Sequence, residues 1–349
     1  MPNIAAERLE TIARALLEAA GTPAHDAVTI ARLSIGANLA GHDSHGIILI
    51  PTYIDRVKKG HIVPDAKWEI LQETPTTTVV DGHWGFGYVV TERAMRHTIA
   101  KAKTQNVAAT TVFRQGHVGR LASYPLMAAE EGLIAMITAD SGRSPKHVAP
   151  FGGAKARLGT NPICFAVPSD LEGPLFFDMA TSAAAAGKIN VAIARGKEVP
   201  PGWLIDSEGR PTNDPAALRK GGALLPLGGA EGYKGYGLAA IVEIFSGLLT
   251  GLGFGVEPTG RHNDGCFIAV FKVSAFRDLG TFKREVRDFA EYLKATPPAA
   301  GFDRVYYPGE IEFEREKERR ASGVPIEDST WEGLRKLATE LGVADKLGM

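Results

Sequence analysis

The sequence is poor in several features that would mark particular classes of protein. It holds only two cysteines, Cys164 and Cys266, which lie far apart and without ligand spacing, so a disulfide scaffold and a cysteine-bound zinc site are not expected. Its 39 basic and 40 acidic side chains give a net charge of −1, whereas a nucleic-acid partner requires a concentrated positive surface. The longest stretch without Asp, Glu, Lys or Arg, residues 244–256, is too short to cross a bilayer.

Common catalytic and nucleotide-binding motifs are also missing. The glycines never form Gly-x-Gly-x-x-Gly between a predicted strand and a helix, and the phosphate loop Gly-x-x-x-x-Gly-Lys-Ser/Thr is absent. Neither Gly-x-Ser-x-Gly nor His-Glu-x-x-His occurs, which argues against an ordinary serine hydrolase and a zincin. The first residues lack a basic head followed by an apolar core. We therefore expect a cytoplasmic globular enzyme, with no membrane or nucleic-acid partner.

The hydrophobic pattern predicts an α/β core with helices at both ends. Strands are expected at residues 77–80, 107–113, 133–138, 163–167, 175–178 and 266–273, with a turn at Asp81-Gly82. Helices are expected at residues 4–20, 23–39, 91–102, 121–131, 236–252, 281–293 and 329–341. In the helix at 236–252, Ile241, Phe245 and Leu248 are predicted to face inward. The alternating charges of residues 314–320 predict a solvated helix face.

Three polar, glycine-rich clusters could carry chemistry. Residues 41–46 place two imidazoles, a carboxylate and a hydroxyl between glycines. Residues 114–120 place His117 where a strand gives way to a helix, and its ordinary pKa of about 6.5 suits proton transfer. The third cluster, residues 140–162, interrupts two strands with donors, bases and glycines. Taken singly, each cluster has a structural alternative: the first is a plain loop, the second a structural histidine, which is the commoner case, and the third a turn-rich connection.

Seven short motifs, read together in their order along the chain, are far more specific. They are Ser44-His45-Gly46, Gly116-His117-x-Gly119, Pro150-Phe151-Gly152-Gly153, Gly159-Thr160-Asn161-Pro162, Asp178-Met179-Ala180-Thr181-Ser182, Lys234-Gly235-Tyr236-Gly237 and Tyr306-Tyr307-Pro308-Gly309. In this combination the sequence resembles the malate/L-lactate dehydrogenase family of non-Rossmann NAD(P)-dependent oxidoreductases, in particular members similar to hydroxycarboxylate dehydrogenase B. The resemblance implies an α/β fold with a largely antiparallel or mixed sheet, flanked by N- and C-terminal helices, in a homodimer with sites near the interface.

The resemblance also implies a role for each matching position. His117 would be the catalytic acid/base, with Ser141 contacting the substrate and Asp140 as a possible orienting group. Ser44, Leu49 and Arg143 would line the substrate site. The positions assigned to the cofactor are His45, Gly159, Thr160, Asn161, Asp178, Met179, Ala180, Thr181, Lys234, Gly235, Tyr307, Pro308 and Gly309. The implied cofactor is NAD or NADP, with NAD favoured, and no metal is expected.

One position departs from the family's common pattern. Many members read Ser-His-Gly-x-x-Arg, and that arginine can fork onto a substrate carboxylate. Here the position is Leu49, an apolar choice shared with members similar to hydroxycarboxylate dehydrogenase B. Arg143, Lys146 or Arg120 could supply the missing anchor. An apolar wall at Leu49 predicts that larger and more hydrophobic acids are preferred over lactate, malate or ureidoglycolate.

The function predicted from these residues is reversible hydride transfer between a nicotinamide and a small-molecule 2-hydroxy acid, giving the 2-oxo acid. Reduction of a cyclic imino acid is the nearest alternative, since it uses the same hydride and a similar proton donor. A metal-dependent hydrolase built on His42, Asp43, His45 and His117 is a remote one. A non-catalytic nucleotide-binding protein is a third.

Three segments describe the expected organisation. Residues 1–75 form an N-terminal helical segment with the Ser-His-Gly loop, and residues 76–280 form the α/β core that binds cofactor and substrate. Residues 281–349 form a C-terminal helical segment that packs back on the N-terminal part. The chain shows no internal repeat or linker to sharpen these boundaries.

Overall fold

A computed structural model describes residues 1–140, 146–257 and 259–349 of the chain. The helices are α1 (Ala6–Ala19), α2 (Ala24–Leu39), α3 (Ile50–Lys58), α4 (Gly87–Gln105), α5 (Pro125–Glu130), α6 (Ala186–Arg195), α7 (Gly232–Glu243), α8 (Leu279–Lys294), α9 (Glu310–Ser322), α10 (Asp328–Glu340) and α11 (Ala344–Leu347). The strands are β1 (Asn3–Ile4), β2 (Glu69–Glu73), β3 (Thr77–Gly85), β4 (Val107–Gln115), β5 (Leu133–Asp140), β6 (Ile163–Val167), β7 (Leu175–Met179), β8 (Leu204–Ile205), β9 (Pro211–Thr212), β10 (Ala223–Leu224), β11 (Gly265–Lys272) and β12 (Val324–Pro325).

A seven-stranded mixed sheet forms the centre of the molecule. Its strand order is β2-β3-β4-β11-β5-β6-β7, and β3 and β4 form its parallel pair. The other neighbouring strands run antiparallel. Parallel strands need a crossover connection, and α4 supplies it between β3 and β4. The prediction of an α/β fold with a largely antiparallel or mixed sheet is confirmed.

The local sequence explains how the sheet acquires its buried face. Along β4, Ala108, Thr110 and Val112 are buried while their neighbours are more exposed, which is the alternation of a strand covered mainly on one face. The central strand β11 has no free edge, and five of its eight residues are buried. Helices α4 and α5 cover the sheet and contribute buried Met95 and Ala128 to the main core.

The turn predicted at Asp81-Gly82 is wrong. Strand β3 continues to Gly85 with a bulge, and His83 and Trp84 adopt φ values of 45° and 64° there. Asp81 stays in the strand because its buried carboxylate has partners of its own. It pairs with the guanidinium of Arg114 and accepts a hydrogen bond from the His83 N–H at 2.9 Å.

The inward face predicted for the helix at 236–252 is also wrong in part. Ile241 and Leu248 are 47% and 49% exposed, and α7 ends at Glu243 before a π-helical turn. Phe245 is partly buried and stacks on Phe267. The buried face instead carries Glu243, whose carboxylate accepts a hydrogen bond from the Asn161 amide at 2.8 Å. A polar contact of this kind cannot be read from hydrophobic spacing.

The chain ends and a smaller lobe complete the fold. Strand β1 near the N-terminus pairs antiparallel with β12 in the C-terminal part of the chain. Strands β8, β9 and β10 and helix α6, which the hydrophobic pattern did not reveal, surround a second small core that includes Val148 and Ile189. The segment boundaries at residues 75 and 280 stay a prediction. Within the described residues, no helix combines the length and apolar composition needed to span a membrane.

Candidate active site

The Ser-His-Gly loop is held in place by a clamp of hydrogen bonds. Arg319 of α9 contacts both carboxylate oxygens of Asp43, at 2.7 and 3.0 Å. The Asn38 amide donates to the same carboxylate at 2.7 Å and accepts from the Ile47 N–H at 2.8 Å. A Cβ at Gly46 would lie 2.2 Å from the Asn38 side chain, so only glycine fits there.

The contact of Arg319 with Asp43 shows that the solvated face predicted for α9 is wrong in part. The α9 residues 314–320 were predicted to form a solvated face, and Arg320 does pair with Glu316 along the helix surface. Arg319, however, has a side chain only 11% exposed and reaches Asp43. One member of the charged run therefore positions the site loop.

His45 connects the loop to the candidate acid/base. Its ring stacks on the His117 ring with 5.7 Å between centroids and 22° between planes. Ser44 Oγ lies 3.0 Å from His45 Nδ1. Burial lowers the pKa of His45, an effect that the carboxylate of Asp178 partly offsets. The loop thus brings two neutral imidazoles face to face at neutral pH.

His117 follows directly on β4 and is surrounded by polar and aromatic side chains. Its Nδ1 lies 2.8 Å from the Tyr53 hydroxyl, and its ring meets the edge of the His262 ring at 5.5 Å between centroids. Although the residue keeps some exposed surface, burial of the imidazole lowers the pKa of His117 from its ordinary 6.5 to about 3, despite the nearby Asp264 carboxylate. His117 is therefore a neutral imidazole at physiological pH and can accept a proton.

Asp264 supplies a buried negative charge beneath this histidine pair. One carboxylate oxygen lies 2.8 Å from His262 Nε2, and the other accepts a hydrogen bond from the Val118 N–H at 3.1 Å. Burial alone would raise the pKa of Asp264, but His262 and the hydrogen bond from Val118 outweigh it and hold the pKa below its ordinary value. Asp264 is thus placed to stabilise positive charge formed on His117.

Two segments predicted to bind the cofactor lie side by side. The Thr181 hydroxyl donates to the carbonyl oxygens of Thr160 and Asn161, at 3.1 and 2.9 Å. Asp178, near the end of β7, accepts a hydrogen bond from the Ala122 N–H at 2.8 Å. The strand ends thereby form one wall.

A cleft of about 570 Å³ separates this wall from the Ser-His-Gly loop. Its lining brings together predicted site residues from both sides, with two basic side chains. They include Ser44, His45, Gly119, Arg120, Thr160, Asp178, Met179, Ala180 and Lys188. A concave site of this size with few, convergent polar groups is typical of ligand binding.

Arg120 is the group in the lining most clearly prepared for an anion. The residue is 8% exposed and its guanidinium lies 5.3 Å from the Phe176 ring centroid. Its buried Nε has no hydrogen-bond partner among the described residues. A buried guanidinium nitrogen without a partner is costly, and an anionic ligand group would satisfy it.

Several predicted residues lie outside this lining. Leu49 packs against the main core, and Lys234 is exposed and paired with Glu231 at 3.0 Å. Gly235 is buried, and a Cβ there would lie 2.1 Å from the Leu227 carbonyl oxygen. Their assigned roles stay predictions.

The Tyr307-Pro308-Gly309 turn lies behind the cleft. The Pro308 carbonyl accepts a hydrogen bond from the Phe176 N–H at 3.2 Å, and a Cβ at Gly309 would lie 2.6 Å from the Phe176 ring. Since Phe176 carries Arg120 on its face, the turn supports the cleft from beneath.

The end of β5 is described only in its backbone. Asp140 pairs with Gly265, the residue that follows Asp264. The side chain of Asp140, together with Ser141 and Arg143, lies outside the described residues. The roles predicted for these three residues stay predictions. Lys146 is 4% exposed in its side chain and contacts Glu243 at 3.3 Å.

The metal-hydrolase alternative requires His42, Asp43 and the site histidines to converge on one point. Asp43 instead binds Arg319, and His42 lies 3.5 Å from the Glu312 carboxylate. In the part of the chain that the structure describes, no group of three His, Cys, Asp or Glu side chains is arranged to hold a metal ion.

Sequence reasoning missed the residues from distant segments that contact or support His117, and one basic residue of the cleft lining. Tyr53, Tyr88, His262 and Asp264 belong to no motif that was singled out, and neither does Lys188. The signal available was the His262–Asp264 pair just before a predicted strand, since strand ends commonly carry active-site groups. Tyr53 and Tyr88 gave no such signal, because each is an apolar-spaced residue of a helix.

Comparison with known proteins identifies the family of the chain. The sequence model of the malate/L-lactate dehydrogenase family matches residues 4–335. The chain belongs to this family. It is 35% identical to malate dehydrogenase from Pyrococcus horikoshii over 97% of its own length and 95% of that protein, and 33% identical to hydroxycarboxylate dehydrogenase B from Escherichia coli O157:H7 over 98% and 95%.

Solved structures show the same fold. The crystal structure of malate dehydrogenase from Entamoeba histolytica superposes with a TM-score of 0.94 at 34% identity, covering 98% of each chain. Δ1-Piperideine-2-carboxylate reductase from Pseudomonas syringae pvar. tomato superposes with a TM-score of 0.85 at 28% identity, over 97% of this chain and 100% of that one. The family resemblance predicted from the motifs is confirmed, and the protein is an oxidoreductase of the malate/lactate dehydrogenase family.

Proposed function

We propose that this oxidoreductase uses NAD or NADP to interconvert a 2-hydroxy acid and its 2-oxo acid, with His117 as the acid/base. The observation that supports this most is the enclosed, neutral His117 imidazole, stacked on a histidine that lines the cleft. A positioned histidine of this kind typically contributes about 10²- to 10⁴-fold to a proton-transfer step.

The residues of the cleft fit an anionic dinucleotide. Arg120 has a buried nitrogen without a partner, and Lys188 adds a second positive charge in the first turn of α6. His45, Thr160, Asn161 and the Asp178–Thr181 segment would hold the cofactor beside them, with Lys234 and the Tyr307–Gly309 turn in supporting positions. When bound, the nicotinamide supplies or accepts the hydride. NAD stays the favoured form, and comparison of kcat/KM with NAD and NADP decides this point.

The chain's own residues account for the proton. In oxidation, the free nitrogen of neutral His117 takes the proton of the substrate hydroxyl, and the buried Asp264 carboxylate stabilises the imidazolium that results. In reduction, the same imidazolium returns the proton to the carbonyl oxygen. Its low pKa makes it a strong acid for that step.

Arg120 is the best-supported replacement for the arginine that Leu49 displaces. Lys146 contacts Glu243, Arg143 lies outside the described residues, and Arg120 lines the cleft with an unpartnered nitrogen. We therefore assign the anionic end of the substrate to Arg120, with the cofactor phosphates as the competing anion. The preference for larger, apolar acids stays a prediction. It is tested by specificity constants along a series from lactate to aryl-substituted acids.

Reduction of a cyclic imino acid is the second candidate. It is favoured by the structural likeness to Δ1-piperideine-2-carboxylate reductase, which is named for such an acid. A screen of 2-hydroxy acids with both cofactors, run beside a reductive screen of cyclic imino acids, tests both reactions at the reduced-nicotinamide absorbance. Turnover of imino acids alone would move the assignment to the reductase. Nucleotide binding without any turnover would identify a binding protein.

An exposed apolar face supports the proposed homodimer. Ile241, Ile244, Leu248 and Leu249 along α7 and its π-helical turn are 46–55% exposed, and Phe254 is 73% exposed. Apolar patches of this extent on a folded chain commonly mark interfaces. A second copy of the chain is the proposed occupant. Light scattering should give the mass of a dimer, and Leu248→Glu should shift it toward the monomer.

The cytoplasmic compartment stays an expectation, consistent with two buried free cysteines.

A further inference from the structure

A chain of hydrogen bonds runs from His117 to the backbone behind it. His117 Nδ1 lies 2.8 Å from the Tyr53 hydroxyl, and that hydroxyl donates to the Tyr88 hydroxyl oxygen at 3.4 Å. The Tyr88 hydroxyl in turn donates to the His45 carbonyl at 3.2 Å. Both tyrosines are 1% exposed, so water does not compete for these groups.

The end of this chain determines its direction. A carbonyl oxygen only accepts, so Tyr88 uses its single proton on His45. The Tyr88 oxygen then accepts the Tyr53 proton, and Tyr53 has none left for His117. With the Tyr53 proton on Tyr88, the His117 Nδ1 carries a hydrogen and donates it to Tyr53. A neutral imidazole has one N–H, which leaves Nε2 with a free lone pair.

We propose that Tyr53 and Tyr88 are positioning residues that fix the Nδ1–H tautomer of His117 and so keep Nε2 free to accept the substrate proton. This inference deepens the proposed function and rests on it for its catalytic consequence. The tyrosines do not carry the proton onward, because burial raises the pKa of both phenols and keeps them protonated. The proton taken from the substrate stays on His117, above Asp264.

The position of Tyr88 explains why the last residue of Gly116-His117-x-Gly119 is a glycine. Gly119 adopts φ +71°, and a Cβ there would lie 2.3 Å from the Tyr88 hydroxyl oxygen. Any side chain at Gly119 would push the Tyr88 ring away from its two partners. The glycine next to the candidate acid/base thus makes room for a residue that orients it.

The alternative to this arrangement is the other neutral tautomer of His117. If Tyr53 turned its proton toward His117, Nδ1 would accept and Nε2 would carry the hydrogen, so the ring could not take a proton from the substrate at that atom. The Tyr53–Tyr88 bond is the longest link, so removal of the Tyr88 hydroxyl should allow this change. Tyr88 reaches the His117 ring only through Tyr53, while its own hydroxyl holds the His45 carbonyl of the cleft lining.

The experiment uses full-length protein labelled with ¹⁵N-histidine, and the His117 signals are identified by their loss in His117→Gln. At neutral pH, the wild type should show Nδ1 protonated and Nε2 free. Tyr88→Phe should shift the hydrogen toward Nε2 and lower kcat for oxidation by about tenfold, with KM unchanged within about twofold. Tyr53→Phe removes the Nδ1 partner outright and should give a mixture of tautomers.

Tyr124→Phe is the matched control. Tyr124 is fully buried and donates to the Val118 carbonyl at 2.6 Å, without a link to the His117 ring. It should lose stability as Tyr88→Phe does but keep the tautomer and kcat of the wild type. A wild type with Nε2 protonated, or a Tyr88→Phe variant that behaves as Tyr124→Phe does, would overturn the proposal. The labelling arm needs no turnover, so an absence of dehydrogenase activity would remove the proposed function while the tautomer is still decided.

Discussion

The surroundings of His117, behind the cleft residue His45, and the cleft around Arg120 differ in how their charged and titratable groups are satisfied. Around His117, ring and hydroxyl contacts place Tyr53 and His262 against it, and Asp264 accepts hydrogen bonds before any ligand enters. In the cleft lining, Arg120 is buried with a nitrogen that lacks a partner among the described residues. The groups around His117 are therefore positioned for proton transfer by contacts within the protein, whereas Arg120 obtains its missing hydrogen-bond partner only when an anionic ligand binds.

Among the replacements that test this comparison, that of His117 should have the largest effect on activity. His117→Gln removes the proton acceptor and should lower kcat by at least about a hundredfold, while the dissociation constant of the reduced cofactor stays within a few-fold. Steady-state kinetics and nicotinamide fluorescence titration measure the two quantities. His61→Gln, at a loop histidine outside the cleft, is the control. Equal kcat values for wild type and His117→Gln would remove this residue from the mechanism.

Replacement of Arg120 should weaken anion binding in the cleft. Arg120→Gln loses a charge-assisted hydrogen bond of about 1.5–3 kcal/mol, and kcat/KM should fall by about 10- to 100-fold, mainly through KM. Arg120→Lys keeps the charge without the planar fork and should recover only part of the loss. A rise in KM for the hydroxy acid identifies the substrate carboxylate, and a rise in the cofactor dissociation constant identifies the phosphates. If neither constant moves, Arg120 binds no anion.

The low pKa of His117 predicts a pH dependence of stability. The unfolded chain protonates this residue below 6.5, whereas the folded chain leaves it neutral down to about 3. The unfolded state therefore binds more protons in that window, and stability falls as pH drops through it. Between about pH 7 and about pH 4.5, the Tm of the wild type should fall more steeply than that of His117→Gln. Parallel Tm curves for the two proteins would contradict the burial argument.

The smallest effect is expected at Lys234. Its ammonium is exposed and pairs with Glu231, so its contribution to cofactor binding is screened. Lys234→Ala should weaken dinucleotide binding by a few-fold, more at low salt than at high salt. Titration calorimetry at two ionic strengths measures this, with Lys220→Ala, an exposed lysine paired with Asp214, as the control. Identical dissociation constants would withdraw Lys234 from the cofactor site.

Local sequence patterns predicted much of the sheet but little of what completes the site. Strand β6 has the predicted bounds, because a short apolar run between turn residues has few other interpretations. The inward face of α7 was predicted wrongly because Glu243 is drawn inward by Asn161. Tertiary polar contacts of this kind override hydrophobic spacing, and sequence periodicity does not contain them.

The candidate site shows the same division. His45 and His117 were found because glycines flank them in recognisable motifs, and the structure stacks their rings. Tyr53 and Asp264 were missed because they lie 64 residues before and 147 residues after His117, respectively, so only the fold brings them together. Arg120 was named as one of three anchors, and its unpartnered nitrogen in the cleft lining distinguished it from Lys146, which is also buried but contacts Glu243.

The most direct test of the central claim follows the hydrogen on C2 of the substrate. A 2-hydroxy acid deuterated at C2 is oxidised in a single turnover, and the reduced nicotinamide is analysed by mass spectrometry. The account predicts that the deuterium moves to the nicotinamide and that His117→Gln slows this step by at least about a hundredfold. Recovery of unlabelled reduced nicotinamide, or the same single-turnover rate in both proteins, would contradict it.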